Sequence, residues 1–190
     1  MITVYDLETT GLPKPGETRT PGIIQVAALK YDFDGNEIGS FNERVNPELL
    51  PNEWEDGAIR VTGIGPNNVQ KDWPSFFSVA RKFAHFVEGS KVLCGYNIIG
   101  FDDGILFNQL CRYGYEKHFP WPIRRIDVMD VSKAYNTMVG KKGNKRPKLT
   151  EIYEQLFQEK MQNAHDALAD VRGTARVLFK IGQPEIEKMK

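Results

Sequence analysis

Hydrophobic and polar positions alternate along this chain with two different periods. Ile2, Val4 and Tyr5 open an apolar run that Gly11 and Pro13 stop, which predicts a buried strand at the start. Residues 22–32 read as a second strand, Asp34-Gly35-Asn36 as a hairpin turn, and residues 37–46 as the returning strand. Residues 51–68 read as a short helix and loop. The period then lengthens. Trp73-Pro74 opens a helix whose Phe76, Phe77, Ala80, Phe83, Ala84 and Val87 share one face, and Gly89-Ser90 ends it. A strand follows over 91–96, then a helix over 101–113 with Ile105, Leu106 and Leu110 inward, and a strand over 123–129. Helices are predicted over 131–138, 149–157 and from about 164 to 181, the last with Ala167, Leu168, Val171, Ala175 and Leu178 toward the core. Gly182 and Pro184 stop it. Residues 1–182 therefore read as one domain and 183–190 as a C-terminal tail, frayed from Glu185 onward. A strand meander followed by strand–helix alternation predicts an α/β fold: a mixed five-stranded sheet, antiparallel first and then parallel, flanked by helices.

Composition narrows the class. With 190 residues the chain is long enough for a full core, and 25 acidic residues balance 25 basic ones. Zero formal charge leaves nucleic-acid binding to be argued from a local feature. The one strongly basic stretch is the loop at 139–148, with Lys141, Lys142, Lys145, Arg146 and Lys148. Cys94 and Cys111 lie in apolar contexts and read as buried free thiols of a reducing, cytoplasmic protein. No apolar run is long enough to span a bilayer, so no membrane association is expected.

The chemistry is carried by acids in apolar places. Alternation along the first strand puts Asp6 and Glu8 on the same side, where two carboxylates repel unless a cation lies between them. Hard divalent ions such as Mg2+ or Mn2+ favour carboxylate oxygen. Asp102 follows the 91–96 strand at the start of a helix, with Asp103 read as its solvent-facing neighbour. Asp170 sits among Ala167, Leu168 and Val171, a poor place for a solvated acid. His165 precedes that helix, and an ordinary imidazole, titrating near pH 6.5, suits a base that takes a proton from water. Asp127 lies inside an apolar strand, where it could be a ligand or the partner of Arg124 or Arg125, and reads foremost as structural or as support for the site.

Asp6-x-Glu8-Thr-Thr-Gly, Asn97-x3-Phe101-Asp102 and His165-x4-Asp170 occur in this order. Together they resemble the three motifs of the DEDDh (DnaQ-like) branch of the DEDD exonucleases, which includes the proofreading epsilon subunit of bacterial replicative polymerases. The resemblance implies a ribonuclease-H-like fold. It also implies a 3′→5′ exonuclease that hydrolyses single-stranded nucleic acid, DNA ahead of RNA, and releases nucleoside monophosphates. Asp6, Glu8, Asp102 and Asp170 would hold two divalent ions, Mg2+ or Mn2+, and His165 would be the general base. Thr9, Thr10, Gly11, Leu12, Gly63, Ile64, Asn97 and Phe101 would contact the 3′-terminal nucleotide. Partners would be single-stranded DNA or RNA 3′ ends, with a polymerase or another replication protein as a further candidate. Two departures stand out: Tyr96 takes a place where many members have His, and the Pro13–Pro21 loop is long for the family. The alternatives are a 3′→5′ exoribonuclease and a non-catalytic nucleic-acid-binding module, the latter disfavoured because all four carboxylates and the histidine are present. A haloacid-dehalogenase-type phosphatase would need a second Asp where Glu8 stands.

Overall fold

A computed structural model describes residues 1–14, 20–50, 53–122, 124–140 and 146–188. The middle of the Pro13–Pro21 loop and three of the five basic side chains of the 139–148 loop lie outside them. Five strands make one mixed sheet: β1 (Ile2–Thr9), β2 (Ile23–Tyr31), β3 (Glu37–Arg44), β4 (Val92–Gly95) and β5 (Arg124–Asp127), in the order β3-β2-β1-β4-β5. The β1–β2 and β2–β3 pairs are antiparallel, whereas β1–β4 and β4–β5 are parallel. The central strand β1 is apolar on both faces. Tyr5 and Leu7 join α2 (Phe76–Val87) and α3 (Asp102–Arg112) in one core, while Ile2 and Val4 join α5 (Leu149–Phe157) and α6 (Ala167–Ile181) in the other. Three layers result, as the predicted α/β architecture requires. A smaller cluster of Ile24, Trp54 and Ile64 packs α1 (Asp56–Thr62) against the start of β2.

The elements depart from the sequence expectation where capping chemistry decides a boundary. The helix predicted from residue 131 is α4 (Val128–Met138). It starts directly after β5 because the Asp127 carboxylate accepts from Met129 N–H at 3.0 Å. The last long helix starts at Ala167 rather than near 164, because the Asp166 carboxylate caps it through Ala169 N–H at 3.2 Å. The frayed tail is not frayed in the part described. Gln183–Glu187 form a short helix α7, with Pro184 in its first turn and Ile186 buried against the α6 core. Phe77 is 37% exposed, and Val79 takes the inward position on α2 instead. Both cysteines are free as expected, yet only Cys94 is buried; Cys111 is exposed. At Gly95 the chain turns out of β4 so tightly that a Cβ would sit 2.5 Å from the Tyr5 carbonyl oxygen and collide with Ile98.

Candidate active site

The site forms where β1 outruns its parallel neighbour. Pairing with β4 stops at Val4–Cys94, so the edge of β1 beyond Val4 faces the start of α3 instead of another strand. There the buried Asp102 carboxylate accepts from Leu7 N–H at 3.0 Å, taking the place of a ladder bond. Pleating turns Asp6 and Glu8 to the same face as Ile2 and Val4, the face covered by α6. Asp170 stands in the first turn of α6 and meets them. One carboxylate oxygen from each of Asp6, Glu8 and Asp170 lies within 4.8 Å of the others. Asp102 is not part of that tight group, although its charge acts on Asp6.

Such crowding is visible in the acidities. Burial pushes the Asp6 carboxyl well above the usual carboxylate range, and the charges of Asp102, Glu8, Asp170 and Asp166 add to it. Glu8 is raised to about 8, by burial first and then by Asp170 and Asp166; Arg44 opposes the shift. Asp170 is raised to about 6 by burial, against the His165 N–H and the His165 side chain, which lower it. Asp102 is raised well above its ordinary value by burial, with the Leu7 N–H pulling the other way. These oxygen donors fit a hard divalent cation, whose charge would offset both the cost of burying them ionised and their mutual repulsion. Among the described residues this is the group of acids with metal-ligand spacing.

His165 stands at the rim. Its backbone is left-handed (φ 72°), its N–H points at the Asp170 carboxylate at 3.2 and 3.4 Å, and the residue is exposed. The segment predicted to cradle a terminal nucleotide is held by residues far away in sequence. Thr10 N–H donates to the Gly22 carbonyl at 2.9 Å, and the Thr10 hydroxyl accepts from Gly22 N–H at 3.0 Å. Thr9 donates its hydroxyl to the Gly11 carbonyl at 2.8 Å. Leu12 projects outward, 64% exposed. Gly63 ends α1 in the left-handed region (φ 68°), and Ile64 is buried beside Trp54. Asn97 is left-handed (φ 65°), and Phe101 sits half-buried at the start of α3.

Several supporting residues escape sequence reasoning. Glu55 receives Leu12 N–H at 3.3 Å, pairs with Lys14 at 3.0 Å, and donates its own N–H to the Thr10 carbonyl at 2.9 Å. A Cβ at Gly11 would meet the end of the Glu55 side chain at 2.7 Å, so a larger residue there would push Glu55 away from the Leu12 N–H. Nothing in the local sequence around Glu55 signals this. Asp103 is not solvent-facing: it accepts from the Tyr5 hydroxyl at 2.7 Å and pairs with Arg125 at 3.2 Å. Asp127 accepts from the N–H groups of Asn97 (2.8 Å) and Ile99 (3.3 Å) as well as Met129, so its role is structural and Arg125 turns to Asp103 instead.

A mixed sheet in this order, with acids converging at the end of its central strand, defines a ribonuclease-H-like domain with an acidic, nuclease-type site. Residues 3–178 match the RNase_T exonuclease family, and the chain belongs to that family, the DnaQ-like group its motifs resemble. It is 28% identical to exodeoxyribonuclease I of Haemophilus influenzae over 207 residues, which cover 96% of this chain and 41% of that protein. It is 27% identical to the PolC-type DNA polymerase III of Caldanaerobacter subterraneus subsp. tengcongensis, covering 94% of this chain and 11% of that protein. A zinc-bound complex of Escherichia coli exonuclease I with single-stranded DNA superposes with a TM-score of 0.78 at 26% identity, over 99% of this chain and 42% of that one. The chain thus spans about two-fifths of the length of these exonuclease I relatives. Among the described residues, no helix is long and apolar enough to cross a membrane.

Proposed function

We propose that the chain is a divalent-metal-dependent 3′→5′ exonuclease that removes nucleoside monophosphates from single-stranded DNA. The observation that carries this reading is the convergence of Asp6, Glu8 and Asp170 within 4.8 Å on a domain of an exonuclease family. Asp6, Glu8 and Asp170 would hold two ions, Mg2+ or Mn2+, with Asp102 completing the set and held in orientation by Leu7 N–H. Bound ions supply Lewis acidity to the scissile phosphate and lower the pKa of the attacking water. His165 accepts the proton of that water on its imidazole, standing outside the carboxylate group on a turn tied to Asp170. Thr9 to Leu12, braced by Glu55, bind the terminal nucleotide from one side. Gly63 and Ile64 of the α1 end and Asn97 and Phe101 of the α3 start bind it from the other. DNA is favoured over RNA because the relatives are exodeoxyribonucleases and a DNA polymerase.

The test uses 5′-labelled single-stranded DNA and RNA of identical sequence, incubated with Mg2+ or Mn2+ and with EDTA controls. The expected result is a ladder shortening from the 3′ end, faster on DNA and abolished by EDTA. Faster shortening of RNA would replace the substrate assignment. Binding without cleavage of either would leave a nucleic-acid-binding module.

A further inference from the structure

Three polar residues stand in a row across the sheet, from the carboxylates toward its β3 edge. Glu8 of β1 pairs with Gln25 of β2, and Gln25 pairs with Arg44 of β3. Residues directly opposite one another project to the same face, so Gln25 and Arg44 extend the carboxylate face sideways. Alternation along β3 agrees, since Glu43 turns to the other face and meets Lys82 of α2 at 3.0 Å. Helix α6 seals the apolar residues of β1 and β2 on the carboxylate face, but among the described residues none from β3 joins that core. This flank of the site is therefore open. Gln25 is 2% exposed, and its two ends are both committed: the carbonyl oxygen accepts from the Arg44 guanidinium at 2.9 Å, and the amide donates to Asn42 at 2.8 Å. The guanidinium also lies over the Trp73 ring, 5.9 Å from its centroid.

We propose that Arg44 binds a phosphate of the substrate strand on this open flank, an inference that rests on the exonuclease reading. A guanidinium carries five N–H donors, and the bond to Gln25 uses one. Arg44 is half-buried, none of its nitrogens is buried without a partner, and among the described residues no carboxylate pairs with it. Its charge nevertheless reaches Glu8. A cation that is oriented by a buried amide, backed by an indole and left without a counter-ion is complemented by an anion that the ligand brings. The planar fork suits two phosphate oxygens at once. Strand spacing of about 4.8 Å sets the Arg44 backbone roughly 10 Å from that of Glu8, a gap that an arginine side chain and one phosphate group span together. Two sources share this chemistry: the scissile phosphodiester at the carboxylates and a phosphomonoester on the 3′ end itself.

The test compares thymidine dodecamers ending in a 3′-hydroxyl and in a 3′-phosphate, each incubated with Mn2+ and the parent, Arg44→Gln or Arg44→Lys. Arg44→Gln lowers kcat/KM by about tenfold or more while melting with the parent. Arg44→Lys recovers part of the loss, because it restores the charge without the fork. A loss that includes the 3′-hydroxyl dodecamer assigns Arg44 to the scissile phosphodiester, and a loss confined to the 3′-phosphate dodecamer assigns it to the terminal phosphomonoester. Unchanged kcat/KM on both overturns the proposal. So does a loss that lysine leaves unrelieved and that follows a fall in melting temperature, which makes the arginine a brace of the sheet edge. Calorimetric binding of thymidine 3′,5′-bisphosphate with Mn2+ needs no hydrolysis. If the parent cleaves neither dodecamer, the exonuclease reading falls; bisphosphate binding about tenfold weaker in Arg44→Gln then keeps the phosphate site, and equal binding removes it.

Discussion

Asp6 carries opposing demands, because the neighbours that make it useful to a cation also make it costly to ionise. Its carboxyl is raised by burial and by four surrounding acids. Asp6→Asn keeps the shape and removes one charge. The expected outcome is loss of hydrolysis together with a melting temperature at pH 8 above that of the metal-free parent, by about 2–4 °C per kcal/mol of repulsion relieved. Unchanged melting with lost hydrolysis would mean that the carboxylates do not strain the fold. His165 is a different case, since its left-handed backbone (φ 72°) is a conformation that Asn tolerates far better than Ala. His165→Asn should lower kcat by about 10²–10⁴-fold with little change in melting, and a large loss of stability would reassign the histidine to holding the α6 entry. These acids were legible because period-two alternation places Asp6 and Glu8 together and an apolar helix face isolates Asp170. Asp103 was misjudged because its partner Tyr5 is 98 positions away, and no local pattern predicts such a bond.

Among the elements, the strand-to-loop turn after β4 matters most, since it positions both Asn97 and the start of α3. Asp127 ties three parts together there, accepting from Asn97, Ile99 and Met129. Asp127→Ala should destabilise the protein by about 1–3 kcal/mol in urea unfolding and raise KM, because the buried Met129 N–H and the half-buried Asn97 N–H lose their acceptor. An unaffected KM would show that Asn97 does not contact substrate. The strand order, the hairpin at Asp34-Gly35-Asn36 and the amphipathic helices all follow from periodicity and turn residues. Element boundaries did not, wherever a side-chain cap set them: Asp127 and Asp166 each look like ordinary acids until the N–H they receive is seen. The α7 helix was missed for a similar reason, because Gly182-Gln183-Pro184 stops one helix and, through proline in a first turn, starts the next.

For the molecule as a whole, the raised carboxyls make stability depend on pH in a definite direction. Glu8 is raised to about 8 and Asp170 to about 6, so the native state binds more protons than the unfolded chain across that window. Their stabilising, protonated form is fully populated below the ordinary carboxyl range near 4.5 and is lost as pH rises through 6 to 8. Asp32, Glu55 and Glu159 are lowered instead, and their contribution is lost only in more acidic solution. The metal-free protein should therefore melt progressively lower between pH 5 and pH 8. Mn2+, competing with those protons, should raise the melting temperature more at pH 8 than at pH 5. An equal increment at both pH values would place the ion elsewhere.

Asp170 reaches Asp6 and Glu8 from α6, the helix that also packs on the Ile2–Val4 face of β1. On a ribosome, about 160 residues separate these partners, and at roughly 5–20 residues per second their meeting is delayed by on the order of ten to thirty seconds. Through that interval the nascent chain exposes the sheet face that Val171, Ala175 and Leu178 will seal. Nascent chains arrested before α6 should bind chaperones and remain inert toward DNA. Chains that extend past α6 should become protease-resistant in a single step, and under the exonuclease reading hydrolysis should appear only once α6 has joined the sheet.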